Sequence, residues 1–195
     1  MKQLLIETNI FEGKLNEDSS GRTLVTGILQ RTGNYQNQNG RVYPREILER
    51  EVDSYKKLIK ERRALGELDH PDSQVINLKN VSHNIREVWW DGDTLMGTVE
   101  ILSTPSGNIL KELLRAEILL GISSRGMGSV ETLKDGKSQV GNDFNLIGWD
   151  FVSNPSVHDA FMSPVNESKI ITQNEVCNEY CKAQDIMREI LIELN

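Results

Sequence analysis

Cysteine is scarce in this chain of 195 residues: there are two, Cys177 and Cys181. Four positions apart on a helix they share one face, where they are expected as small apolar residues on its buried side. No C-x-x-C occurs, and no further cysteine is present to complete a zinc site. Long apolar runs are missing too, none approaching the roughly 18 residues of a membrane span. The opening residues, Met1-Lys2-Gln3-Leu4-Leu5-Ile6-Glu7, lack the apolar stretch and cleavage site of a signal peptide. Positive charge is in deficit: 22 Lys and Arg against 29 Asp and Glu give a net charge of −7. That balance argues against nonspecific binding to nucleic acid or to a membrane surface. Internal repeats and low-complexity tracts are also absent. The expectation left standing is a soluble intracellular protein with neither nucleic acid nor membrane as partner.

What is present is an ordinary globular balance, 37% hydrophobic and 26% charged. A chain of this length buries roughly 70% of the surface its unfolded form exposes, so it needs no disulfide or metal to fold. Residues 1–20 are mixed in character and end in a polar loop, and they read as a flexible N-terminal segment. A strand is expected at 24–29, followed by a polar, Asn-rich loop at 33–40. Pro44 opens a helix whose apolar residues, Ile47, Leu48, Val52, Tyr55, Leu58 and Ile59, recur at helical spacing up to about residue 63. Two strands at 81–90 and 94–102 flank Asp91-Gly92-Asp93, a hairpin signal. Thr104-Pro105 starts a second helix that ends before Gly121. Short strands follow at 122–125, at 130–133 and 138–140 around Asp135-Gly136, and at 144–152. Residues 163–172 read as a linker into a third, amphipathic helix, where Thr172 and Glu175 form a capping box. The expected organisation is one domain over 1–162 with a linker and helix over 163–195. Its class is α+β, with the strands in a mostly antiparallel sheet or a small barrel.

Two segments carry residue types suited to chemistry. Gly66-Glu67-Leu68-Asp69-His70-Pro71-Asp72 sets one imidazole among three carboxylates. A histidine works as a general base when a hydrogen-bonded group orients it and nearby charge tunes it. Glu67, Asp69, His70 and Asp72 are all potential metal ligands as well, but their crowding around Pro71 matches no recurring ligand spacing. Gly121-Ile122-Ser123-Ser124-Arg125-Gly126-Met127-Gly128-Ser129 sets a serine pair and an arginine among glycines. Small residues let a substrate backbone approach a hydroxyl, and backbone N–H groups of such a turn can stabilise an oxyanion. The segment is neither a G-x-S-x-G elbow nor a P-loop. Taken together, the two segments suggest a serine nucleophile with a histidine base. Asp150, Asp69, Glu67, His83 and His158 all stay open as the third group, because spacing does not choose among them.

These stretches resemble the prohead core proteases of T-even-like tailed bacteriophages. The likeness runs over roughly residues 4–162. It rests above all on G-E-L-x-H-P around His70 combined with S-S-R-G-x-G around Ser123. Asn39-Gly40-Arg41-Val42-Tyr43-Pro44, the Trp89-Trp90 pair and Trp149-Asp150 to Pro155 extend it. The resemblance implies a serine endopeptidase of procapsid maturation, similar in fold to the herpesvirus assemblins: a small, mostly antiparallel β-barrel flanked by helices. It implies His70 as catalytic histidine and Ser123 as nucleophile. Asp150 is expected where herpesvirus relatives place a second histidine. Asp69 departs from the family pattern, which has Asn there. Arg125 and the backbone of Gly126 fall near the family's oxyanion and substrate segment. No metal or organic cofactor is implied. Substrates would be phage scaffold and capsid proteins, cut after Glu in Leu/Ile-x-Glu sites inside the prohead assembling in the host cytoplasm. Leu5-Ile6-Glu7 and Leu191-Ile192-Glu193 fit that pattern, so self-cleavage after Glu7 and Glu193 is expected. A P1 Glu calls for a cation in its pocket, and Arg41 and Arg125 are candidates on residue type. The competing reading is a catalytically inactive barrel serving as a scaffold component. Trp89 and Trp90 are expected to pack in the sheet rather than to line a substrate groove. The sequence leaves a homo-oligomer open.

Overall fold

The computed structural model describes residues 2–10, 14–17, 21–37, 39–71 and 73–153. All of them belong to the compact unit Met1–Pro164. The expected third helix, its linker, His158, both cysteines and Glu193 lie outside the described residues, as does Asp72.

In chain order the strands are β1 (Gln3–Ile10), β2 (Lys14–Glu17), β3 (Thr23–Arg31) and β4 (Arg41–Val42). Helix α1 (Arg45–Lys60) follows, then β5 (Leu65–Glu67), β6 (Val81–Asp91) and β7 (Thr94–Ile101). After helix α2 (Pro105–Arg115) come β8 (Gly121–Gly128), β9 (Val130–Thr132), β10 (Ser138–Val140) and β11 (Asn145–Val152). Helix α1 forms where the apolar spacing places it. Ile47, Leu48, Val52 and Tyr55 are buried, and Leu58 and Ile59 pack beside them. Arg62, in the left-handed region at φ 58°, ends it. Helix α2 is capped by Thr104, whose Oγ1 accepts the N–H of Gly107 at 3.0 Å. Between β6 and β7 the two-residue turn Gly92-Asp93 has its positive φ at Gly92, as a hairpin with Gly first requires. Trp90 packs on the core and carries the Arg45 guanidinium 3.6 Å from its ring centroid. Trp89 is exposed on the other face of β6.

Residues 3–10 depart from the flexible segment expected at the N-terminus. They form β1 and pair along the whole of β8. The mixture of Gln, Leu, Leu, Ile, Glu and Thr hides the strand because no clean alternation marks a polar face.

The barrel expected by analogy with assemblins is not formed. The described strands make three sheets, β1-β8-β11, β4-β10-β9 and β2-β3-β7-β6-β5, and none closes on itself. Closure needs a continuous ladder around the circumference. Here the seam between β5 and β11 holds a single isolated bridge, Leu68 to Phe151. The reason is visible in the hydrogen bonds. The carbonyl of Trp149 meets Nε2 of His83 at 3.0 Å, and the N–H of Glu67 goes to the Asp150 carboxylate at 2.9 Å. Side chains occupy the backbone groups that a closed ladder would pair. Gly66 lets the strands come this close: a Cβ there would lie 2.1 Å from the Trp149 carbonyl and 2.2 Å from His83 Nε2.

Candidate active site

Strand β8 runs between β1 and β11, so its backbone is held on both sides. Side chains alternate along it, which puts Ser123 and Arg125 on one face and Ile122, Ser124 and Gly126 on the other. Asp150 of β11 stands directly opposite Ser123, and Trp149 opposite Ser124. An extra residue between Leu146 and Gly148 shifts the register at this point. A one-residue slip would exchange the two faces and carry Asp150 away from Ser123. Ser123, Arg125 and Asp150 are fully buried. Ser124, the neighbour most easily confused with Ser123, therefore projects to the opposite side of the sheet.

His70 arrives from the open seam. Beyond β5, the N–H of Asp69 donates to the carbonyl of Phe151 at 2.8 Å. Asp69 then adopts φ 69°, a left-handed conformation that Asp and Asn tolerate better than most residues. Its Oδ1 accepts the N–H of His70 at 2.9 Å. This turn lays the imidazole across the face of β8 and β11. Nδ1 of His70 lies 2.9 Å from Asp150 Oδ2, and Nε2 lies 2.5 Å from Ser123 Oγ. A carboxylate only accepts, so the ring hydrogen belongs on Nδ1, and Nε2 is left to accept from the serine hydroxyl.

Of the residues open as the third group, the structure brings Asp150 to the imidazole. Glu67 is buried, but its carboxylate meets Arg125 Nη2 at 3.1 Å and the N–H of Asn77 at 3.0 Å. Asp69 is exposed and bonds to the backbone beside it. His83 is buried between Ser82 Oγ and the Trp149 carbonyl. Among the described residues, no group of three or more His, Cys, Asp or Glu side chains is placed to hold a metal ion.

Arg125 turns inward and offers no surface to a substrate. Its Nη2 is 3.2 Å from Asp150 Oδ1, and Nη1 donates to the carbonyl of Ser73 at 2.7 Å. Its Nε lies 3.0 Å from Asp150 Oδ2 as a charge contact too poorly aimed for a hydrogen bond. Gly126 lies inside the sheet between Leu5 and Leu146, and a Cβ there would lie 2.4 Å from the Phe144 ring. Arg41, half-buried on β4, points Nη1 at the carbonyl of Ile6 at 3.3 Å. Glu67 is the member of the cluster whose place was hardest to see in sequence. It was visible beside His70, but its partner Arg125 lies 58 positions away.

Burial lowers His83 from its ordinary 6.5 to about 4, against the opposing pull of the Asp150 charge and the Trp149 carbonyl. The unfolded chain therefore binds the proton more readily across this window. Stability is intact above pH 6.5 and is lost as pH falls towards 4, by about 3 kcal/mol from this residue alone. Urea midpoints of wild type and His83→Gln should diverge in slope between those two values, with the variant flatter. Equal slopes would contradict this reading. Burial, and next the charge of Asp150, push the Tyr55 phenol well up, so it stays neutral beside the site.

A buried serine hydroxyl on an imidazole whose far nitrogen rests on a carboxylate is the working set of a serine protease. Comparison with known proteins gives the lineage. The chain belongs to the prohead core protein serine proteases, whose family profile matches residues 4–170. It is 32% identical over 200 residues to the prohead core protein protease of Enterobacteria phage T4, covering 94% of this chain and 92% of that protein. The solved structure of the bacteriophage T4 capsid assembly protease superimposes with a TM-score of 0.74 at 29% identity, covering 79% of this chain and 99% of that one. The family indicated by the His70 and Ser123 motifs is thus the family found. The chain is a protease of phage prohead maturation.

Proposed function

We propose that this protease cuts scaffold and capsid proteins after Glu in Leu/Ile-x-Glu segments, inside the prohead assembling in the host cytoplasm, and that it trims its own ends. The observation that carries the mechanism is the single imidazole within hydrogen-bond reach of both Ser123 and Asp150. Ser123 Oγ attacks the scissile carbonyl carbon while His70 Nε2 takes its proton. Asp150 holds the Nδ1 hydrogen and offsets the charge of the imidazolium. The carbon–nitrogen bond then breaks as His70 returns the proton to the leaving amine. Water enters by the same base, and the acyl-enzyme is hydrolysed.

Access bears on the N-terminal cut. Glu7 lies in β1, paired opposite Ser124 in an eight-residue register. Cleavage after it requires β1 to leave the sheet, so the N-terminal cut should be slow in the folded protein. Intact mass, followed over time in wild type and in Ser123→Ala with and without EDTA, tests the proposal. Loss of the end pieces released by cuts after Glu7 and after Glu193 is expected in wild type alone and is expected to be indifferent to EDTA. Pieces released equally by Ser123→Ala, or blocked by EDTA, would overturn it.

A further inference from the structure

We propose that Glu67 and Arg125 are positioning residues that tune the charge around His70, an inference that rests on the Ser123–His70–Asp150 mechanism above. All three charged side chains of the cluster, Glu67, Arg125 and Asp150, are fully buried. A purely structural ion pair needs one carboxylate for one guanidinium. This cluster has two carboxylates around a single Arg125, which contacts both. Among the described residues it is one positive charge short, and Glu67 Oε2 has no hydrogen-bond partner among them. The missing charge arrives when His70, bonded to Asp150, takes the proton of Ser123. The buried group is then neutral, so its surplus negative charge favours the imidazolium of the transition state over the resting imidazole.

The same cluster holds the chain that presents His70. The N–H of Glu67 is bonded to Asp150, the carbonyl of Ser73 to Arg125, and the N–H of Asn77 to Glu67 Oε1. Residues before and after His70 are thereby tied to one point. Among the described residues, the other titratable groups that face this point are His83 from β6 and Tyr55 from α1, both kept neutral by burial. Asp69, on the turn itself, is exposed.

Glu67→Gln removes the surplus charge while leaving an oxygen for Arg125 and for the Asn77 N–H. Its effect is read as the rate at which a fluorophosphonate probe labels Ser123, measured by intact mass from about pH 5 to about pH 9. The acid limb of the wild-type profile should move to lower pH in Glu67→Gln by about one unit, with a plateau roughly tenfold slower. Glu67→Gln/Arg125→Gln restores the wild-type net charge, and its limb should return towards the wild-type position. Arg125→Lys keeps the charge but loses the fork, so its limb should stay in place while its plateau falls. Circular dichroism of each variant confirms that it is folded. Should the double variant fail to fold, the Glu67→Gln limb decides by itself. A Glu67→Gln limb that does not move, or that moves upward, would overturn the inference. Labelling of Ser123→Ala at the wild-type rate would instead overturn the underlying mechanism, so the two failures are distinguishable.

Discussion

Replacing Ser123 by Ala is expected to abolish proteolysis, by roughly 10,000-fold or more, while leaving the melting temperature close to that of wild type. The hydroxyl oxygen is the only heavy atom lost, and the contacts that hold His70 and Asp150 in place do not run through it. Asp150, His70 and the strap around them keep their bonds to Glu67, Phe151 and Arg125. Ser124→Ala makes the contrast. That side chain projects to the opposite face, against Trp149, and its hydroxyl has no hydrogen-bond partner among the described residues. Activity should survive its loss to within a small factor. Cleavage of a Leu-x-Glu peptide, followed by chromatography, checks both variants. Similar losses in the two would contradict the face assignment that the β8–β11 register gives.

Gly66→Ala is expected to have the largest effect on stability. One methyl group at that position meets the Trp149 carbonyl at 2.1 Å, which is backbone and cannot turn away, and the His83 ring at 2.2 Å. Relief requires β5 and β11 to separate, which strains the Glu67 N–H bond to Asp150 and the buried ion pairs beyond it. The cost is on the order of 3 kcal/mol or more, a large share of an ordinary domain's stability. Poor soluble yield or a melting temperature lowered by several degrees is the expected result. Removing the imidazole as well, in Gly66→Ala/His83→Ala, should not rescue it, because the carbonyl remains. A Gly66→Ala protein as stable as wild type would contradict the close seam.

Much of the local structure was legible because it is written in short-range pattern. Six apolar residues at helical spacing mark α1, and Asp91-Gly92-Asp93 marks the β6–β7 hairpin. The motifs around His70 and Ser123 were legible as residue types, and their order along the chain suggested a nucleophile and a base. Two features were not. The unclosed seam depends on which N–H meets which carbonyl across β5 and β11, and there side chains of His83 and Asp150 displace the backbone partners. No local periodicity encodes that exchange. The inward turn of Arg125 is the second. Its neighbours in sequence are glycines and serines that suggest a substrate loop, whereas its partners come from β5, β11 and the loop after His70. An arginine two positions from a nucleophile on a strand shares its face, and that spacing was the available signal.

In the proposed mechanism His70, oriented by Asp150, activates Ser123. Its most direct measurement is the site of fluorophosphonate attachment, mapped by peptide mass spectrometry in wild type and in His70→Ala. One adduct is expected, on Ser123, formed readily by wild type near neutral pH and lost in His70→Ala. An adduct on Ser124, or one on Ser123 that forms equally fast without the imidazole, would contradict it.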